Sequence, residues 1–290
     1  MELSHAPFLP FMSPRTAVPP GVQPLSLSDW IDVDEAYAPQ MAYRERILAE
    51  HPGIVLMNDG TGAGREALRT VLASLAGREG FRIGETSVQR PDGIEVALDF
   101  DAPLATLCCL VQEDFLIHEK PEGEAQHWLK SGLLVFPSRW SLAEKMGRPL
   151  TQIHERVPGY NEHLAPRVQR FFDALKPERA LVRGNWLVHS TPELFQPLTD
   201  DVKYAEPRQQ EGRFWLRVER QSLIRLPVTN AVVFSVKTMI TAVENLTLEQ
   251  QHGLAVALDG QSVEHVEYHG GQAYHDAARA AVGALTNANP

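Results

Sequence analysis

The segment Phe214-Trp215-Leu216-Arg217-Val218-Glu219-Arg220-Gln221 sets charged and amide side chains among strand-forming residues. Side chains of a β-strand alternate between faces. Leu216, Val218 and Arg220 therefore share one face, and Arg217, Glu219 and Gln221 the other. A solvated surface strand shows the same alternation. The next run, Ala231-Val232-Val233-Phe234-Ser235-Val236, is apolar almost throughout, which predicts cover on both faces and extends that expectation to its neighbour. Arginine and glutamate kept from water must pair or meet a polar ligand. The strand is thus a candidate wall of a polar pocket. Which face points inward is open, so Arg217 and Arg220 are rivals.

Histidine supplies a second chemistry. A single proximal imidazole commonly holds the iron of an oxygen-reactive haem. Of the 11 histidines, the mid-chain candidates are His118, His127, His154, His163 and His189. His154 stands out by its surroundings: it follows Ile153, precedes Val157-Pro158-Gly159, and lies between a short helix and a longer one. Such a connection projects a ligand from a fixed backbone towards a cavity. Other chemistries find no support, since H-E-x-x-H, G-x-S-x-G and Walker A patterns are absent. The run Asp59-Gly60-Thr61-Gly62-Ala63-Gly64 lacks the G-K-[ST] ending of a phosphate loop and reads as a helix start. Glu113 and Asp114 have no glycosidase-like partner spacing. The two cysteines, Cys108 and Cys109, are adjacent and read as small core residues. They are too few to hold an Fe–S cluster and fit a reducing compartment.

Periodicity places these residues on elements. Residues 39–50 and 64–78 read as amphipathic helices, the second with Ala67, Leu68, Val71, Leu72 and Leu75 on one face. Phe81–Val88 and Ile94–Phe100 read as strands joined at Pro91-Asp92-Gly93. A short helix is expected over residues 103–110, a hairpin over 115–136 about Pro121-Glu122-Gly123, and helices over 140–146 and 162–175. Ala180–His189, Arg213–Leu223 and Ala231–Met239 carry the strongest strand signals, with a polar loop at 197–212. Helices over 248–258 and 272–285 close the chain. Helices at both ends of an antiparallel set of strands give an α+β class.

The composition is that of a globular protein: 43% hydrophobic, 22% charged, 290 residues. A net charge of −10 disfavours nucleic acid as a partner. No apolar run reaches the ~20 residues of a membrane span, and the N-terminus lacks signal-peptide features, so a cytoplasmic protein is expected. Pro7, Pro10, Pro14, Pro19, Pro20 and Pro24 suggest an extended arm over residues 1–25 whose Phe8, Leu9, Phe11 and Met12 pack on the body. With no clear linker, residues 26–290 are expected to form a single domain.

Several segments in order resemble one family. They are Val111-Gln112-Glu113-Asp114, the run 136–145 (FPSRWSLAEK), Ile153-His154 with Val157-Pro158-Gly159-Tyr160, Arg183-Gly184-Asn185-Trp186, and the run 216–227 (LRVERQSLIRLP). Their order and spacing over roughly residues 20–270 resemble the alpha subunit of haem-dependent oxidative N-demethylase. The resemblance implies a PAS-type antiparallel sheet with added helices that binds haem b. It also implies O2-dependent oxidation of a small secondary amine, dimethylamine in kind, with electrons from reductase subunits carrying flavin and an Fe–S cluster. On that basis His154 is the expected iron ligand. Arg217 or Arg220, with Glu219 and Gln221, would serve the catalytic side, the arginine towards O2 and Glu219 towards the ammonium. Arg225 and Trp186 are assigned to cofactor support, along with Arg183 and Asn185, or to holding the sheet. A haem-based sensor without catalysis is the alternative. The chain departs from the family pattern at Lys237-Thr238-Met239, where Arg-Thr-Tyr is usual, and at Ile224-Arg225, where Arg-Arg is usual; this bears on substrate more than on haem.

Overall fold

The structure is a computed structural model that describes residues 1–17, 21–157, 160, 164–177, 179–199 and 212–288. Among these residues lie the strands β1 (Gln23–Leu25), β2 (Leu56–Met57), β3 (Arg82–Ile83), β4 (Ser87–Gln89), β5 (Glu95–Ala97), β6 (Asp114–Glu119), β7 (Trp128–Leu133), β8 (Ala180–His189), β9 (Trp215–Arg225) and β10 (Val232–Ala242). They form a seven-stranded sheet in the order β1-β8-β9-β10-β6-β7-β2 and a three-stranded sheet β3-β4-β5, with every neighbouring pair antiparallel. The helices are α1 (Pro14–Ala17), α2 (Tyr37–Glu50), α3 (Pro52–Val55), α4 (Gly62–Leu75), α5 (Pro103–Cys108), α6 (Leu142–Lys145), α7 (Leu150–Ile153), α8 (Ala165–Ala174), α9 (Leu248–Asp259), α10 (Val263–Tyr268) and α11 (Gln272–Ala288). The class is α+β, as the alternation of periods predicts.

Local chemistry accounts for most boundaries. Thr61 caps α4, its hydroxyl accepting from the Gly64 amide at 3.0 Å. The expected strand over 81–88 is itself a hairpin, because the chain reverses between Gly84 and Ser87 (Gly84 N to Ser87 O, 2.8 Å). Of the polar loop expected at 197–212, residues 200–211 lie outside the described residues, as do Pro158, Gly159 and His163.

Cross-strand pairing sorts the large sheet into two faces. Phe115, Ile117, Lys237, Met239, Ile224, Arg220, Val218, Gly184 and Trp186 share one face. It is covered by α2, α4 and α5, by α9–α11 and by the N-terminal arm. The arm lies close: a Cβ on Gly184 would meet Pro10 Cγ at 2.1 Å, so glycine is required there. Leu116, His118, Val232, Phe234, Val236, Arg217, Glu219, Gln221, Leu223, Leu181, Arg183 and Asn185 share the other face, under α6, α7 and α8.

The Gln112-Glu113-Asp114 run joins the layers. Fully buried Arg44 donates to Asp114 at 2.8 Å, and to the backbone carbonyls of Gln112 (3.0 Å) and Glu113 (2.7 Å). Asp114 also accepts the amides of Val135 and Phe136, each at 2.9 Å. Gln112 reaches Asp34 and Gln40, and Glu113 accepts from the Asp32 amide. This run therefore ties α2 and the lead-in at Asp32–Asp34 to β6. Asp114→Ala leaves the Arg44 guanidinium buried without its counter-charge, so urea unfolding is expected to show a loss of about 3–5 kcal/mol. A loss below about 1 kcal/mol would contradict the account.

Candidate functional site

The face beneath α6–α8 is less completely covered at its centre than at its edges. Leu181, Arg183 and Asn185 on β8, Glu219 and Leu223 on β9, and Phe234 and Val236 on β10 are half-buried, although these are interior strands. These half-covered positions, the recess, are apolar at Leu181, Leu223, Phe234 and Val236, the first three packed in part against side chains of α6–α8, and polar along β8 and β9. The polar border is built by register. Asn185 pairs with Glu219, and Arg183 with Gln221, so four polar side chains stand on adjacent strands of one face.

Glu219 is the focus of that border. Its Oε2 accepts from Gln221 Nε2 (3.0 Å) and Asn185 Nδ2 (3.3 Å), and its Oε1 faces Arg217 Nε at 3.4 Å. Arg217 is fully buried and spends its other donors on the Phe136 carbonyl (2.6 Å), the Leu194 carbonyl (3.4 Å) and Thr238 Oγ1 (3.4 Å). Burial pulls its pKa down and the Glu219 carboxylate pushes it up. Arg217 is thus locked, and its anchoring fixes the carboxylate beside it.

His154 ends α7 as its C-cap. Its Nδ1 lies 2.9 Å from the Leu150 carbonyl. A carbonyl oxygen only accepts, so Nδ1 carries the proton and Nε2 keeps its lone pair. Burial pushes this imidazole down to about 4, so the ring is neutral at physiological pH. Tyr160 stacks on it, centroids 4.4 Å apart and planes 20° from parallel. Hydrogen bonding on one ring nitrogen and a free lone pair on the other is the usual arrangement of a metal-bound histidine. In that tautomer Nε2 is the atom of His154 left able to coordinate a metal.

Among the described residues, several buried polar atoms around the recess lack hydrogen-bond partners: Arg183 Nε, Tyr160 Oη, His118 Nδ1 and His127 Nε2. Arg183 is an electrostatic neighbour of both His154 and Glu219, and His118 of His154. The His118 and His127 rings meet Phe172 edge-on at 5.5 and 5.2 Å. His127 Nδ1 lies 3.0 Å from Gln169 Nε2. His189 lies at the far end of β8, with Nε2 3.4 Å from Ser138 Oγ.

The structure brings together His154, Arg217, Glu219 and Gln221 on one side of the sheet, and adds Arg183, Asn185 and Tyr160. Two candidates lie on the opposite face, and Arg225 lies on the recess face at its α8 end. Arg220 is on the opposite face, donating to the Trp30 (2.9 Å) and Asp29 (2.6 Å) carbonyls. Trp186 is also on that face, packed edge-on against Phe11 of the arm at 5.1 Å. Arg225 ties the end of β9 to the C-terminus of α8 through the Leu175 (2.7 Å) and Phe172 carbonyls, and to Asn230 O at 2.6 Å. The role of Arg183 carries no local sequence signal, because it depends on the long-range register of β8 on β9.

Burial, then the neighbouring His154 and His127, pushes His118 down to about 3. An unfolded imidazole titrates near about 6.5. Below that pH the unfolded chain binds the proton and the folded chain does not. The contribution is therefore fully present above about pH 6.5 and is lost as pH falls towards 3, at up to about 1.4 kcal/mol per pH unit. His118→Leu is expected to flatten the acid limb of a melting-temperature profile relative to the unaltered chain. Parallel acid limbs would contradict this.

The positions that depart from the expected pattern fall away from the recess. Ile224, Lys237 and Met239 all lie on the opposite face, where Lys237 Nζ reaches Asp32 and Asp34, each at 3.0 Å. The recess side keeps its arginine, glutamate, glutamine and asparagine. A family model described as "Haem-dependent oxidative N-demethylase, alpha subunit-like" matches residues 21–279, which include every residue of the recess named above. The chain belongs to the haem-dependent oxidative N-demethylase alpha subunit-like family.

Proposed function

We propose that this chain is the haem-binding catalytic subunit of an O2-using oxidative N-demethylase acting on a small amine. The observation that carries the reading is His154: neutral, oriented by the Leu150 carbonyl, and beside a recess that holds a fixed carboxylate. The five central strands support a PAS-type core. Taken in chain order from β6 to β10, they lie second, first, fifth, fourth, third across the sheet.

His154 Nε2 would bind the iron, and the half-covered apolar side chains of Leu181, Leu223, Phe234 and Val236 would meet the porphyrin. Bound haem, of b type, would supply the O2 activation and the oxidising equivalents. The remaining work belongs to the chain. Glu219 would receive the ammonium of the amine. Its oxygens are already aimed by Gln221, Asn185 and Arg217, so little ordering is left for the binding step. Arg217, fully buried, holds Glu219 Oε1 through its Nε at 3.4 Å. Gln221 and Asn185 act as positioning residues. Arg220, Arg225 and Trp186 hold the lead-in, α8 and the arm to the sheet. Two adjacent cysteines are too few for an Fe–S cluster, so electrons would come from reductase subunits carrying that cluster and a flavin, and the amine would be dimethylamine in kind.

Protein reconstituted with iron protoporphyrin IX is expected to show a Soret band. His154→Ala should weaken haem binding at least about tenfold or shift that spectrum. Glu219→Gln should keep the Soret band yet lose about 10- to 100-fold in kcat/KM for formaldehyde release from the amine, with a reductase supplied. An unchanged spectrum in His154→Ala removes the ligand assignment. Reversible O2 or CO binding without amine oxidation under any electron donor makes the chain a sensor instead.

A further inference from the structure

Most buried arginines of this fold are accounted for. Arg44 is spent on Asp114 and backbone carbonyls, Arg90 on Asp92, Glu45 and the Cys109 carbonyl, and Arg217 on Glu219 and the Phe136 carbonyl. Arg183 is different. Its Nε is buried without a hydrogen-bond partner. The acid in its neighbourhood, Glu219, already takes Gln221, Asn185 and Arg217. Tyr160, stacked on His154 at 4.4 Å, is the other close neighbour of Arg183, and the Tyr160 hydroxyl likewise has no partner among the described residues. Arg183 is half-buried and its nearby carboxylate is shared with three other donors, so a buried N–H without a partner is costly and a further anion recovers that cost. Its planar fork matches a carboxylate in a bidentate pair.

We propose that Arg183 is a carboxylate-binding residue: the occupant of the recess carries a carboxylate that lies against this guanidinium, opposite the ammonium site at Glu219. The chemistry has two sources. One is a propionate of the porphyrin, which rests on the proposed haem function. The other is the carboxyl group of the substrate, making it an N-methylated amino acid rather than a simple dialkylamine. In either case the polar border is bipolar, with a cation and an anion on neighbouring strands. The pairing of Arg183 with Gln221 and of Asn185 with Glu219 sets that spacing into the register of β8 on β9.

The test compares the unaltered chain with Arg183→Met, which keeps length and loses every donor, and Arg183→Lys, which keeps charge and loses the fork. Circular dichroism and thermal melting check folding. One arm titrates iron protoporphyrin IX against its dimethyl ester, read at the Soret band. The other measures calorimetric binding of N-methylglycine against dimethylamine to haem-free and haem-loaded protein. The unaltered chain is expected to favour the free-acid member of at least one pair by about 10- to 100-fold. A preference in the first pair assigns the porphyrin propionate, and one in the second assigns a substrate carboxylate. Arg183→Met should abolish it. Arg183→Lys, available should the methionine variant fail to fold, should weaken it several-fold. Equal affinities in both pairs, or a preference that survives either replacement undiminished, overturns the proposal. Failure of every porphyrin to bind would remove the haem function and leave the amino-acid pair to decide Arg183 alone.

Discussion

The hydrogen bond between His154 Nδ1 and the Leu150 carbonyl, 2.9 Å long, constrains the rest of the site. It selects one tautomer, because the oxygen cannot donate. It also sets the ring plane, which Tyr160 then holds by stacking. Burial disfavours the charged imidazolium, so the remaining lone pair is not lost to a proton at physiological pH. A short helix, α7, does this with few residues, since the Leu150 carbonyl accepts both the His154 amide at 3.3 Å and the ring Nδ1–H of the same residue. The ligand thus comes from a helix end packed over the sheet, facing strands that carry the opposing polar groups.

The two faces of the large sheet divide the labour. One is closed by α2, α4, α5, the arm and the C-terminal helices, and its polar groups hold segments together: Lys237 to Asp32 and Asp34, Arg220 to the Asp29 and Trp30 carbonyls, Trp30 Nε1 to Ser235 Oγ at 2.8 Å. The other is closed at its rim by Leu116, Leu129, Leu142, Leu150 and Phe172, and left half-covered at its centre. Polar groups there are either locked, as Arg217 is, or unsatisfied, as Arg183, Tyr160, His118 and His127 are. Among the described residues, buried atoms without a partner also occur elsewhere, as at Glu113 Oε2 and Gln251 Oε1; what sets this face apart is that four of them cluster around His154 and Arg183.

Much of this was legible in the residue pattern, and the failures have physical causes. The period of two along 216–221 separates Arg217, Glu219 and Gln221 from Arg220, as the β9 register bears out. The apolar run 231–236 predicts a strand covered on both sides; β10 is covered at Val233 and Ser235 on one face and only half-covered at Phe234 and Val236 on the other. Those facts follow from geometry within one strand. The choice of inward face does not, because it depends on which helices pack where. Arg183 and Trp186 are three residues apart and end on opposite faces. β1 and β2 are too short to carry a period, and the hairpin at Gly84–Ser87 is hidden inside what reads as one strand.

The most direct measurement of the central claim is a crystal structure of the protein grown with iron protoporphyrin IX. The account predicts iron bound by His154 Nε2, with Nδ1 still on the Leu150 carbonyl and the porphyrin against the β8–β10 face. Iron bound by His118, His127 or another side chain, or a porphyrin lodged outside the space beneath α6–α8, would contradict it.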